Sequence, residues 1–403
     1  MAAKEDWFQS EDNSHLVEQA SSLDMEHNSV FDHNGTRILL GHSTRNLPFL
    51  VRFVKLVFRT KHALPFKITT DEKGRKRVDS ASSLAKFVHL IHGMTELYSR
   101  DYHYAPALKL FFEVFEFHDI RFCTLTRMEF PFHDGKRIEA EIVNDFVKVL
   151  REEGARVNIT KQMNDWQNAI DDNAERLKLY MDALFERYAR LMVIRLDLNY
   201  KVACVSEQQL LEIDKELARQ ALADHGYLYG DAVVEYDGLE TQARFDVTVL
   251  NEDRKRLFTN KRSKPTLFEH LVGHVWRIEW SRVSGYHLHV AFFFDGSQVK
   301  KDAWLADQIG QYWSQSITKG LGLYHNCNRH KDEYGEYCGI GEVNYYDEPK
   351  RENLMRALGY LAKRNQYLYV KPTPKCNLFG TGHMPDEKST AGRPRKKGIS
   401  TVE

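Results

Sequence analysis

What this sequence lacks closes several routes at once. Cysteine is scarce: Cys123, Cys204, Cys327, Cys338 and Cys376 are scattered, odd in number and form no C-x-x-C. That argues against a disulfide scaffold and for a reducing compartment. No apolar run is long enough to cross a bilayer, and the polar opening MAAKEDWFQSEDNSH has no signal-peptide core. The expected setting is the cytoplasm, with no membrane partner. Charge of one sign is missing too, since 57 Lys+Arg stand against 57 Asp+Glu. A nucleic-acid partner therefore has to be argued from local clusters, not from bulk charge. Internal repeats are absent as well.

What is present fits a soluble globular chain. The 403 residues are 42% hydrophobic and 28% charged, and that length predicts two domains plus tails. Residues 1–45 are polar and Ser/Asn-rich and read as a flexible arm. Residues 46–188 read as a helical domain of unknown role. Asp79 and Ser82 are candidate caps for a helix carrying Leu84, Phe87, Val88, Ile91 and Met94. Further stripes follow: Leu108, Phe111, Phe112 and Phe115, then Ile142, Phe146 and Leu150, which Gly154 is expected to end. A long amphipathic stretch from about Thr160 to Arg190 completes the series. Core packing accounts for all of these stripes.

At Leu191 the period changes. Residues 191–198 read as a strand with Arg195 and Asp197 on one face and Ile194, Leu196 and Leu198 on the other. A helix from about Ser206 to Ala223 follows. Residues 271–280 and 286–294 read as two strands joined by the turn Ser281–Gly285, a hairpin that makes the sheet at least partly antiparallel. A helix over 300–318, a strand near Gly339–Tyr345 and a helix from about Pro349 to Tyr367 complete an α+β pattern over residues 189–380. Residues 381–403 form a basic, flexible tail.

The feature that carries chemistry is His287-Leu-His289 inside that apolar hairpin. Alternation points both imidazoles to one face, and Glu279 on the paired strand has the reach to meet them. Two imidazoles and one carboxylate can bind a divalent metal and leave positions open. A solvated sheet face is the competing reading. Downstream, Tyr360 and Lys363 are one helical turn apart, and Tyr367 falls near the same face. A phenol beside a metal-held phosphate can act as a nucleophile, with the ammonium stabilising charge.

These residues, in this order, resemble the HUH endonucleases that start rolling-circle DNA replication. The run from Val272 to Trp280, then Gly285 to Gly296, is similar to the inovirus-type replication proteins and their prophage-encoded YagK/YfjJ relatives. So are Trp304–Trp313, Asn326-Cys-Asn328, Gly339-Ile-Gly341 and Tyr360-Leu-Ala-Lys363. The resemblance covers about residues 190–380. It implies an HUH-type domain, a central and largely antiparallel sheet flanked by helices, behind the helical region. It implies that His287, His289 and Glu279 hold Mg²⁺ or Mn²⁺ and that Tyr360, with Lys363, nicks single-stranded or hairpin origin DNA. Tyr367, with Lys371, is the competing or second nucleophile. Helicase and polymerase of a bacterial host are the implied partners. Arg195 and Asp197 depart from the hydroxyl-rich form of the family's first motif.

Two basic segments fit the same theme. Arg254, Lys255, Arg256, Lys261, Arg262 and Lys264 form a cluster with no acid between them, suited to a phosphate backbone. Arg393 and Arg395 flank Pro394 as in a minor-groove hook. The loop residues His325, Cys327, His330 and Cys338 have ligand types for zinc, without a strong spacing pattern. Two other functions share these features: a non-catalytic DNA-binding regulator, and a metal phosphoesterase without a covalent intermediate.

Overall fold

Helices form where apolar residues recur at three- and four-residue steps, and the first of them build an aromatic core. The computed structural model describes residues 7–8, 16–17, 20, 29–31, 37–39, 44–100, 102–201, 207–230, 247–281, 285–363, 367–369 and 377–386. Arg393, Arg395 and Lys371 lie outside the described residues. So do the side chains of Lys363 and Arg262.

Helix α1 (Leu47–Arg59) starts with Pro48 in its first turn and buries Leu50, Val51, Phe53, Val54 and Val57. Helix α2 (Pro106–Phe117) also opens on proline, where the missing N–H costs nothing. Helix α3 (Glu139–Arg156) meets α2 through Phe146, whose ring lies 5.8 Å from Phe111, and Phe111 in turn lies 6.1 Å from Phe53 on α1. Gly154 does not end α3 as the sequence suggests. It sits inside the helix because a Cβ there would collide with the Phe58 ring. Ser82 caps as expected, its side chain accepting from the Leu84 N–H. Asp79 does not cap. It lies in a hairpin, Phe66–Thr70 with Lys76–Ser80, within the otherwise helical region.

Helix α4 (Ile159–Arg187) belongs to two cores. Ile159 and Met163 join the aromatic core, while Leu177, Tyr180, Met181, Leu184 and Phe185 pack on the sheet. Packing therefore crosses the boundary expected at residue 188. Helix α5 (Glu207–Tyr229) crosses it as well: Tyr229 Oη is 2.6 Å from His92 Nδ1, and Arg100 pairs with Asp224 at 2.8 Å.

The central sheet has strands β1 (Arg190–Tyr200), β2 (Leu271–Ser281), β3 (Gly285–Asp295), β4 (Gly322–Asn326), β5 (Gly341–Asn344) and β6 (Phe379–Thr381). Its order is β5-β1-β3-β2-β6, with β4 also on β1, and every pairing is antiparallel. The long strands β1 and β3 are buried on both faces, so they read as near-continuous apolar runs. Even-numbered residues such as Ile194, Leu196, Val290 and Phe292 pack under α6 (Val247–Thr259) and α7 (Asp302–Tyr312). Odd-numbered Val193, Val275, Ala291 and Phe293 pack under α4 and α8 (Glu348–Lys363). A helical region followed by an antiparallel sheet flanked by helices is the architecture the sequence predicts. Among the described residues, no helix is long and apolar enough to cross a membrane.

Candidate metal centre

The face under α4 and α8 changes character along its length. Beyond Val193, Phe293 and Val275, the same face buries Asp197, Arg277, Glu279, His287 and His289. Strand register arranges them in two rows. Asp197 lies opposite His289, and His289 lies opposite Arg277. One row further, Glu279 lies opposite His287.

The hairpin thereby brings the two imidazoles and the carboxylate together. Glu279 Oε2 is 2.7 Å from His289 Nε2 and 3.5 Å from His287 Nε2. All three ligand atoms lie within 4.8 Å of one another. Two ligands ~2.1 Å from one ion, at octahedral or tetrahedral angles, are about 3.0–3.4 Å apart, so the spacing suits a divalent cation. The far sides of the rings are held as well. His289 Nδ1 bonds the Asp197 carboxylate, and His287 Nδ1 lies 3.3 Å from the Gly285 carbonyl. Partners of this kind fix the tautomer whose Nε2 lone pair is available to a metal. Among the described residues, this is the one group of three His, Cys, Asp or Glu side chains that can share an ion.

Electrostatics hold the group together without an ion. Burial works against a charge on His289, but Asp197 and Glu279 outweigh it and raise its pKa above the ordinary histidine value. Arg277 is buried beside Glu279, its Nε 3.3 Å from Oε1. The same guanidinium donates to the Leu361 carbonyl at 2.7 Å, which ties the last turn of α8 to this face.

Of the other expected residues, Tyr360 is half-buried on α8, directly before Leu361. Lys363 is the helix's last residue. Tyr367 is not on that helix. It is buried in the aromatic core of the helical region, and its neighbours Leu368–Tyr369 pair with His103–Tyr104. The shared helical face expected for Tyr360 and Tyr367 is therefore absent, because α8 ends at Lys363. The possible zinc loop does not assemble either. His330 Nδ1 bonds Glu333 at 3.0 Å, Cys327 is buried, and Cys338 Sγ faces the Ile340 carbonyl at 3.7 Å.

The basic cluster lies on the opposite face, on α6 and the turn after it. Arg256 pairs within the helix with Asp253 Oδ1 at 3.0 Å and ties the helix down through the Ile317 carbonyl at 2.8 Å. Lys264 Nζ lies 5.5 Å from the centre of the Tyr312 ring.

Three residues at the site escaped sequence reasoning. Asp197 shows in the sequence as sharing a strand face with Arg195 and as a departure from a motif, but not as a partner of the histidine pair, although its parity with the pairing strand was a usable signal. Arg277 shares the parity of Glu279. Tyr334 gave no signal: it sits in the irregular segment Cys327–Tyr337, where burial raises its hydroxyl pKa and the charges of Arg195 and Asp197 reach it.

A family model, the YagK/YfjJ C-terminal domain, matches residues 153–382, more than half of the chain. The match begins near the end of α3 and takes in α4 and the whole sheet. No curated protein and no solved structure matches.

Proposed function

The chain belongs to the YagK/YfjJ C-terminal domain family, and from that premise we propose that it is a metal-dependent nickase of single-stranded DNA. In this reading it starts rolling-circle replication of a phage, prophage or plasmid-like element in a bacterial cytoplasm. The observation that carries the reading is the buried Glu279, His287 and His289 group with both ring backs tethered. These three side chains would hold Mn²⁺ or Mg²⁺, and the imidazole pair favours Mn²⁺. A bound cation supplies Lewis-acid polarisation of a phosphoryl oxygen.

The chain's own groups do the rest. The Tyr360 phenol gives up its proton as its oxygen bonds to phosphorus, the bond from phosphorus to the 3′ oxygen breaks, and the departing 3′ oxygen takes up a proton, so one proton is lost and one is gained. A 5′-phosphotyrosine and a free 3′ hydroxyl result, and the hydroxyl primes synthesis by host polymerase and helicase. Attack of a 3′ hydroxyl on the same phosphorus reverses the transfer and closes the ring. A phenol has a pKa near 10, so the Lys363 ammonium one turn away is assigned to stabilise its developing charge. Burial of Tyr367 in another core speaks against it as a second nucleophile.

The test is nicking of labelled origin DNA, single-stranded or hairpin, with and without Mn²⁺, followed by denaturing electrophoresis. An adduct that survives denaturation and disappears in Tyr360→Phe supports the nickase. Metal-dependent cleavage without any adduct identifies a phosphoesterase. Binding without cleavage identifies a non-catalytic regulator.

A further inference from the structure

A second feature lies at the β6 edge of the sheet, between the layers that cover its two faces. A cleft of about 540 Å³ opens between α6, the edge strand and α4. Arg254, Lys255 and Lys261 reach it from α6 and the turn that follows, and Arg176 reaches it from α4. Among the described residues no Asp or Glu lines it. Four cations and no carboxylate among the lining residues give the cleft a positive field that attracts an anion.

Aromatic rings stiffen this cationic wall. The Arg254 guanidinium lies 3.8 Å from the centre of the Trp276 ring, a stacked pose that keeps its planar donors in a fixed direction. Phe258 stacks on His274 with ring centres 4.0 Å apart and an angle of 16°. The Phe258 and Phe379 rings are both partly exposed in the cleft. A wall of fixed cations with aromatic surface between them matches a chain of phosphates carrying unstacked bases. The volume suits a nucleotide unit and far exceeds a lone phosphate. A concave space of this size cannot admit a duplex, whose bases are also hidden from the two phenyl rings.

Burial, with Lys261, His383 and Arg254 nearby, pushes the pKa of His274 down to about 3. His274 and Trp276 have even parity on β2, whereas Phe379 pairs with odd-parity Arg277 and Arg176 comes from α4, so the cleft wraps the β6 edge of the sheet, and Glu279, His287 and His289 are not among its lining residues.

We infer that this cleft is a docking site for a segment of single-stranded DNA, separate from the metal centre and placed to hold the strand away from the scissile phosphate. The choice of DNA rests on the proposed function; the anionic, unpaired character of the ligand rests on the cleft.

The test is fluorescence anisotropy of the full chain with a labelled thymidine oligomer in EDTA, so that no metal-dependent step contributes. Lys255→Ala/Lys261→Ala removes two side chains at the rim of the cleft, and an unchanged thermal melt confirms folding. The expected result is about tenfold weaker binding at 0.1 M salt and a salt slope reduced by about 1.4. A Lys61→Ala/Lys86→Ala control should bind like the parent. Parent-like binding by the cleft variant, with the parent binding well, overturns the cleft assignment alone. No binding by the parent overturns both the cleft and the DNA reading. Free thymidine monophosphate competing as well as the oligomer overturns the strand assignment in favour of a free nucleotide.

Discussion

The two faces of the central sheet are made by the same strands and treated differently. On one face Met192, Ile194, Leu196 and Leu198 meet Leu288, Val290, Phe292 and Phe294 in an apolar contact, and a buried carboxylate enters at the end of β1, where Tyr200 Oη donates to Asp253 at 3.0 Å. On the other, Val193, Val275, Ala291 and Phe293 stop halfway, and Asp197, Arg277, Glu279, His287 and His289 take their places at equal depth. Burying an ion costs several kcal/mol before its partner repays any of it, so such groups are a poor route to stability. Apolar side chains of similar volume would hold the strands together at least as well. The charged half-face therefore answers to chemistry, and the apolar face to folding. The division predicts that substitutions on the two faces fail in different assays.

The largest effect belongs to the charged half. His287→Ala and His289→Ala should lower metal-dependent nicking by at least about 10³-fold, roughly 4 kcal/mol of barrier, while oligomer binding in EDTA stays within about twofold. Normal nicking by either variant in Mn²⁺ would remove the metal reading. Next in size is the apolar face. Phe292→Ala should cost about 3–5 kcal/mol in urea unfolding, yet leave the metal stoichiometry of the folded protein unchanged. Loss of metal binding without loss of stability there would break the division between faces.

A smaller effect is expected one step behind the ligands. Asp197→Asn keeps the volume but removes the charge that holds His289 Nδ1. Metal affinity, read by titration calorimetry, should fall about 10- to 100-fold, with little change in stability. An unchanged affinity would mean that the orientation of His289 is set by the strand alone.

Much of this division was legible in the sequence, and the gaps have physical causes. Alternation gave the three long strands and the shared face of His287, His289 and Glu279, because one hairpin joins them and parity alone decides. The family was legible from that hairpin and its flanks. Asp197 needed the further fact that β1 pairs with β3, a contact across ninety-two positions that no local pattern carries. The short strands β4, β5 and β6 are held by pairing more than by propensity. Of these, only β5 had a readable run. The hairpin at 66–80 was missed because its strands are polar, although Asp71 and Gly74 carried the turn signal: the Asp71 carboxylate accepts from the Lys73 and Arg75 N–H groups, and Gly74 has φ +74°. Helix α8 was overextended to Tyr367 since nothing in its apolar spacing announces that the next residues join a different core.

The smallest effect tests whether the apolar face is free of charge. His274 is the histidine that β2 places there, stacked on Phe258, with Arg254 on α6, Lys261 in the turn after it and His383 beyond β6 facing it. Its backbone N–H donates to Tyr180 Oη at 3.1 Å. Burial and those cations depress its pKa to about 3 in the folded chain, against 6.5 ordinarily. A depressed value means that the unfolded chain takes up the proton first. The stabilisation is therefore complete above about pH 6.5 and is lost as pH falls toward 3. At pH 5.5, one unit below the ordinary value, the loss is about 1.4 kcal/mol. His274→Gln removes the titration, so the difference between parent and variant in urea midpoint should change by that amount between pH 7.5 and 5.5. A difference that stays constant with pH would show that His274 titrates alike in folded and unfolded chains. The apolar face would then tolerate a charge, and the contrast between the two faces would be one of degree.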